Sequence, residues 1–230
     1  MTTKNTKAVI WDMDGVIADT APYHFKAWQG VFGKAGVDFN EKHFRRNFGQ
    51  RNDTIIKNTL GNDLSVKEIA SIAEEKEQGF RQNARGKVRP HRGVIELMKS
   101  LREHGFVQAI GSSAPIENID LVIQELDIAA YFEAIVFGQE VKEGKPSPMG
   151  FILAAEKLNV SPQNCIVIED SVAGVTAAKN AGMHCLAVTN TNGRTSLSQA
   201  DLVVDSLAEV TIGDLESLFG HHKNSEGVTG

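Results

Sequence analysis

Two carboxylates one residue apart, Asp12 and Asp14, close the run Ala8-Val9-Ile10-Trp11-Asp12-Met13-Asp14-Gly15-Val16, and a second acid pair stands at Glu169-Asp170. Close carboxylates can bind a hard cation, or divide the work of nucleophile and proton carrier, because their surroundings push their pKa values apart. Side chains alternate along a strand, so Asp12 and Asp14 can project to the same side at its exit, while Gly15 lets the chain bend away. Taken alone, the pair could equally be an acidic turn. A calcium loop of the EF-hand type is excluded, because its sixth position would be Ile17 rather than Gly and its twelfth Tyr23 rather than Glu.

Other residues able to do chemistry follow short apolar runs. Val107–Ile110 exits into Gly111-Ser112-Ser113-Ala114-Pro115, whose hydroxyls and N–H groups could hold an anion at the start of a helix. Ala134–Phe137 is followed by Gly144-Lys145-Pro146-Ser147-Pro148. There the proline restrains the backbone of a lysine, Ser147 can cap the next helix and Pro148 can begin it. This is no P-loop: the spacing from Gly138 is one residue too long, and Pro146 stands where Ser or Thr is required. Cys165–Ile168 exits into Glu169-Asp170-Ser171, where helix capping would explain one acid but hardly both.

The elements that must position these residues alternate. Apolar runs at Ala8–Trp11, Val107–Ile110, Ala134–Phe137, Cys165–Ile168, Cys185–Val188 and Leu202–Val204 are separated by helical patterns at Val94–Leu101, Ile119–Leu126, Phe151–Leu158 and Val172–Ala181. The fold class expected is α/β, a Rossmann-like parallel sheet covered on both faces. Residues 20–88 break the rhythm with helix throughout: Phe25, Trp28, Phe32 and Ala35 share a face, and Ser65-Val66-Lys67-Glu68 is a capping box. This divides the chain into a core of residues 1–19 and 89–220, a helical cap of 20–88 over the sheet's carboxyl edge, and a tail of 221–230 expected to be frayed, with its His221-His222 pair solvated.

Composition narrows the partners. A net charge of −5 without a long basic run argues against nucleic acid or an anionic membrane, and no run approaches the ~20 apolar residues of a spanning helix. Two cysteines in apolar runs, Cys165 and Cys185, fit buried thiols in a reducing cytoplasm better than a disulfide framework. The expectation is a cytoplasmic monomer acting on a small molecule.

In register at four strand ends, the order acid pair, hydroxyl, lysine, acid pair resembles the haloacid dehalogenase superfamily of phosphotransferases over nearly the whole chain. The insert after the first motif resembles that family's C1 cap, and Asp14 separates the chain from the dehalogenase branch, which lacks the second aspartate. The resemblance implies an aspartyl-phosphate mechanism, with Asp12 the nucleophile and Asp14 the general acid and base. It implies a Mg²⁺ held by the Asp12 carboxylate, the Asp14 backbone carbonyl, Glu169 and Asp170. Lys145 would offset the charge and Ser112 would bind phosphate oxygens; at ~4 Å and an effective dielectric of ~20, each like-charge pair otherwise costs about 4 kcal/mol.

The segments Thr20-Ala21-Pro22-Tyr23-His24 and Gly49-Gln50-Arg51-Asn52-Asp53, with Lys76, resemble the branch that contains β-phosphoglucomutases and their phosphatase relatives. That adds Thr20, His24, Arg51, Lys76, Ser113 and Ala114 as substrate-binding candidates. From the residues alone, His24 could instead pack on Trp28, Arg51 could begin a helix, and Lys76 could snorkel from an apolar stripe of Ile69, Ile72, Ala73 and Phe80. The loop after Ser112 departs from the mutase pattern, with Pro115-Ile116 where polar phosphate contacts stand. The expectation is a phosphatase of a small phosphorylated metabolite, a sugar phosphate; the alternative is a β-phosphoglucomutase.

Overall fold

A computed structural model describes residues 6–220 of the chain. Its strands are β1 (Ala8–Trp11), β2 (Val107–Gly111), β3 (Ala134–Val136), β4 (Cys165–Glu169), β5 (His184–Val188) and β6 (Leu202–Val204), all parallel in the order β3-β2-β1-β4-β5-β6. The order reverses between β1 and β4, and such a switch point opens a crevice beyond the strands' carboxyl ends. Asp12 leaves β1 and Glu169 ends β4 at that crevice.

Alternation along the strands builds two cores. Val9 and Trp11 of β1, with Ile166 and Ile168 of β4, pack in the apolar cluster on one face, and Ala8, Ile10, Cys165 and Val167 in the cluster on the other. Trp11 and Gln108 pair their polar groups in the interior: Trp11 Nε1 donates to Gln108 Oε1 at 3.0 Å, and Gln108 Nε2 donates to the Met98 carbonyl at 3.0 Å. Both cysteines are buried free thiols.

Nine helices lie among the described residues: α1 (Ala21–Lys34), α2 (Glu41–Asn47), α3 (Asn52–Leu60), α4 (Val66–Ala84), α5 (Val94–Glu103), α6 (Ile116–Leu126), α7 (Met149–Leu158), α8 (Val172–Asn180) and α9 (Ile212–Leu218). Helices α1 to α4 intervene between β1 and α5 and carry their own apolar cluster of Trp28, Phe32, Phe39, Phe44, Ile55 and Ile56. The two segments joining them to the sheet run side by side: Ala18 bridges Pro90, and the Asp19 N–H donates to the Arg89 carbonyl at 3.2 Å. Helix α4 opens on the expected capping box, Ser65 with Glu68.

Several local expectations differ. Ala35 is exposed just past the end of α1, because the chain turns there through Gly36 at φ +76°. Ser147 caps nothing; Pro148 itself is the N-cap of α7, whose first residue is Met149. Strand β3 ends at Val136, one residue short of Phe137, where the chain enters a short 3-10 turn at Gly138–Glu140. No described helix is long and apolar enough to cross a membrane. The tail of residues 221–230, with His221-His222, lies outside the described residues.

Candidate active site

The carboxyl ends of β1 and β4 bring Asp12, Glu169 and Asp170 together, all buried, with a carboxylate oxygen of each within 4.8 Å of the others. Lys145, from the loop after β3, donates to both Asp12 Oδ1 and Glu169 Oε1. The other Glu169 oxygen, Oε2, accepts from the N–H groups of Asp170 and Ser171, each at 2.8 Å, and from Ser171 Oγ at 2.9 Å, so the β4 exit turn grips this side chain. Asp170 accepts from Thr191 Oγ1. Two glycines leave the necessary room. A Cβ on Gly15, which sits at φ +87°, would lie 2.1 Å from Asp170 Oδ2, and one on Gly174 would lie 1.8 Å from Glu169 Oε1.

Crowded carboxylates resist ionising. Burial pushes Asp12 from its ordinary 3.8 up to about 7; Lys145 pulls back against that, while Glu169 and Asp14 add to it. Asp170 is raised well above its ordinary value by burial first, then by Glu169 and Asp12. Burial would lower Lys145, but Asp12 and Glu169 outweigh it and keep the ammonium charged. Three carboxylates against one ammonium leave a surplus of negative charge when all are ionised. Hard oxygen donors with that surplus fit a divalent cation such as Mg²⁺.

Asp14 faces elsewhere. Thr20 Oγ1 donates to its Oδ1 at 2.5 Å, and His24 Nε2 lies 3.1 Å from the same oxygen. The other His24 nitrogen, Nδ1, is 2.8 Å from Lys76 Nζ, which also bonds Glu77 Oε1 at 2.9 Å. An ammonium paired with a carboxylate has only hydrogens to offer, so Nδ1 accepts and Nε2 carries the hydrogen given to Asp14. The imidazole stacks on Phe80, with centroids 3.9 Å apart, and presents an edge to Phe48. Burial alone would raise the Asp14 carboxyl. The hydrogen bonds from His24 and Thr20 and the charge of Lys76 outweigh it and hold Asp14 below its ordinary value. Two carboxylates from one strand end are thereby set apart, Asp12 reluctant to ionise and Asp14 held ionised.

A cleft open to solvent joins Asp12, Asp14, Ser112, Ser113 and Ala114 to His24 and Lys76. Ser112 Oγ accepts from the Ala114 N–H at 3.1 Å. Arg51 stands at the start of a helix, as the N-cap of α3. It lies outside the cleft lining and reaches the loop after β3, its Nη1 donating to the carbonyls of Gly138 at 3.1 Å and Val141 at 3.0 Å. Lys76 does not snorkel; it is 3% exposed. His24 stacks on Phe80 rather than on Trp28. Glu77, Asn52 and Gln50 line the cleft without having been singled out. Thr191 escaped notice as well, although Thr189-Asn190-Thr191-Asn192 leaves β5 at the same sheet edge.

The chain's sequence matches the family described as haloacid dehalogenase-like hydrolase over residues 9–188. It belongs to that family. The phosphorylated carbohydrates phosphatase of Thermotoga maritima is 34% identical over 181 residues, which are 77% of this chain and 82% of that protein. The β-phosphoglucomutase of Bacillus subtilis is 32% identical over 230 residues, 96% of this chain and 99% of that one. The crystal structure of β-phosphoglucomutase from Clostridium difficile superposes with a TM-score of 0.85 at 29% identity, covering 94% of this chain and 98% of that one. The protein is thus a haloacid dehalogenase-like enzyme of phosphoryl transfer with the six-stranded parallel sheet of that fold.

Proposed function

We propose that the protein is a Mg²⁺-dependent phosphatase of a small phosphorylated carbohydrate, acting through an aspartyl-phosphate at Asp12. The observation that carries this reading is the opposed electrostatic setting of Asp12 and Asp14, one inside a cluster of buried carboxylates and the other against His24. Asp12, Glu169 and Asp170, with the backbone carbonyl of Asp14, would hold the ion. Bound there, it supplies positive charge that lets an anionic nucleophile approach an anionic phosphate.

Asp12 attacks phosphorus as the sugar oxygen departs, and that oxygen takes a proton from Asp14. Entry of the phosphate dianion favours the protonated form of Asp14, which His24 and Thr20 otherwise keep ionised. Once ionised again, Asp14 accepts a proton from the water that attacks the phosphorus of the aspartyl-phosphate, releasing inorganic phosphate and restoring Asp12. Lys145 and the Ser112 loop stabilise charge on the phosphoryl oxygens, and residues 20–88 act as the cap that excludes bulk water.

A second reading, β-phosphoglucomutase, is favoured by similarity along the full chain to the Bacillus subtilis enzyme. A mutase must hold a bisphosphate in both orientations. Arg51, the cation expected to grip the distal phosphate, is committed to two backbone carbonyls, and Ala114-Pro115-Ile116 offers few donors beside it. Both points favour hydrolysis. Asp12→Asn is expected to abolish phosphate release, by at least about 10³-fold, with its melting transition retained. Near-wild-type release from that variant overturns the assignment.

A further inference from the structure

On the α4 wall of the cleft, Lys76 and Glu77 form a buried ion pair whose side chains are 3% and 5% exposed. Glu77 also accepts from Asn52 of α3, through Oε1 at 2.7 Å, and from Asn118 of α6, through Oε2 at 2.6 Å. Arg81 donates to Asn118 Oδ1 at 3.0 Å, which fixes that amide with its NH₂ toward Glu77. Three helices therefore build the seat of one carboxylate. Burial works against its charge, but the Lys76 ammonium, with the hydrogen bonds of Lys76 and Asn52, holds it below the ordinary carboxylate range.

The consequence for the cleft is electrostatic. Lys76 is matched by Glu77 and spends another hydrogen on His24. Among the described residues, the lining holds no further lysine or arginine, because Arg51 is turned to the Gly138 and Val141 carbonyls. Besides the matched pair, what this wall offers a ligand is uncharged: the amides of Gln50 and Asn52 and the ring of Phe48, Trp28 being buried against Phe32. Amides satisfy hydroxyls, and aromatic faces cover the apolar face of a sugar ring.

We propose that Glu77 is a specificity-determining residue: by neutralising Lys76 it selects monophosphate esters with an uncharged, hydroxylated leaving group and turns away esters that carry a second phosphate. The idea rests on the phosphoryl-transfer reading of the Asp12 cluster. A second phosphate in this cleft would meet a buried carboxylate with no free cation beside it, and such like-charge juxtaposition discriminates strongly.

Calorimetric binding to the Asp12→Asn protein in Mg²⁺ separates recognition from turnover. The probes are hexose and pentose monophosphates, each beside its bisphosphate. We expect every monophosphate that binds to do so at least about tenfold more tightly than its bisphosphate. Adding Glu77→Gln, which leaves Lys76 unmatched, should shrink that ratio by about tenfold, chiefly through tighter bisphosphate binding. Bisphosphates bound as tightly as monophosphates by the Asp12→Asn protein overturn the proposal without recourse to the double variant. So does a ratio unmoved by Glu77→Gln, or a failure of every monophosphate to bind. Selective binding with no phosphate released by the wild-type enzyme would instead refute the hydrolase reading and leave the role of Glu77 standing.

Discussion

Asp12 and Asp14 leave the same strand end, yet folding moves their carboxyls in opposite directions. The sign of each shift makes a pH prediction. Asp12, raised from 3.8 to about 7, contributes stability that is whole below 3.8 and is lost as pH rises through about 7. Asp170, also raised, acts in the same sense; His91, lowered by burial against an opposing pull from Asp19, acts in the contrary sense. Asp14, held below 3.8, matters only in more acidic solution. Comparison with Asp12→Asn cancels His91, which both proteins share. In metal-free buffer, the stability of the wild-type chain relative to Asp12→Asn is therefore expected to fall between about pH 5 and about pH 8 in denaturant titrations. A flat or rising difference contradicts the burial argument. Adding Mg²⁺ should oppose the fall, since the ion and the proton compete for the same oxygens.

Elements decide what these residues can reach. The core candidates were legible because each stands within a residue or two of an apolar strand, or in the loop that follows one: Asp12 after β1, Ser112 after β2, Glu169 at the end of β4. The succession Asp14, His24, Lys76, Glu77, Asn118 was only partly legible, since it joins β1 to α1, α4 and α6 by contacts that no local pattern encodes. Lys76 showed itself as a charge in an apolar stripe, but its neighbour Glu77 fell on no pattern. The direction of Arg51 was illegible for a related reason, a long side chain at the N-cap of α3 being free to point into the cleft or across to the core. As a strut from α3 to the β3 loop, Arg51 should serve all substrates alike. Arg51 is partly exposed, so losing its hydrogen bonds is expected to cost about 1–2 kcal/mol. Steady-state kinetics of Arg51→Ala should show kcat/KM reduced about tenfold on every monophosphate tested. Selective loss on bisphosphates would mean that Arg51 grips a distal phosphate after all.

For the whole molecule, the sheet's switch point supplies a buried cluster rich in negative charge and the helices inserted after β1 supply a largely neutral wall; on the proposed reading the first end would take the ion and phosphate and the second the hydroxyls. Removing the ion tests the first half. Chelation with EDTA should lower activity at least about 100-fold, reversibly by Mg²⁺, and the ion at about 100 times its Kd should stabilise the fold by about 2.7 kcal/mol. Full activity in EDTA would exclude the role given to the cluster. The most direct measurement of hydrolysis is phosphorus NMR of the wild-type protein with Mg²⁺ and a set of sugar monophosphates that includes β-glucose 1-phosphate with a trace of the 1,6-bisphosphate. The account predicts growth of an inorganic phosphate resonance at the expense of at least one sugar ester. Conversion of β-glucose 1-phosphate to glucose 6-phosphate, with no inorganic phosphate from any ester, would contradict it.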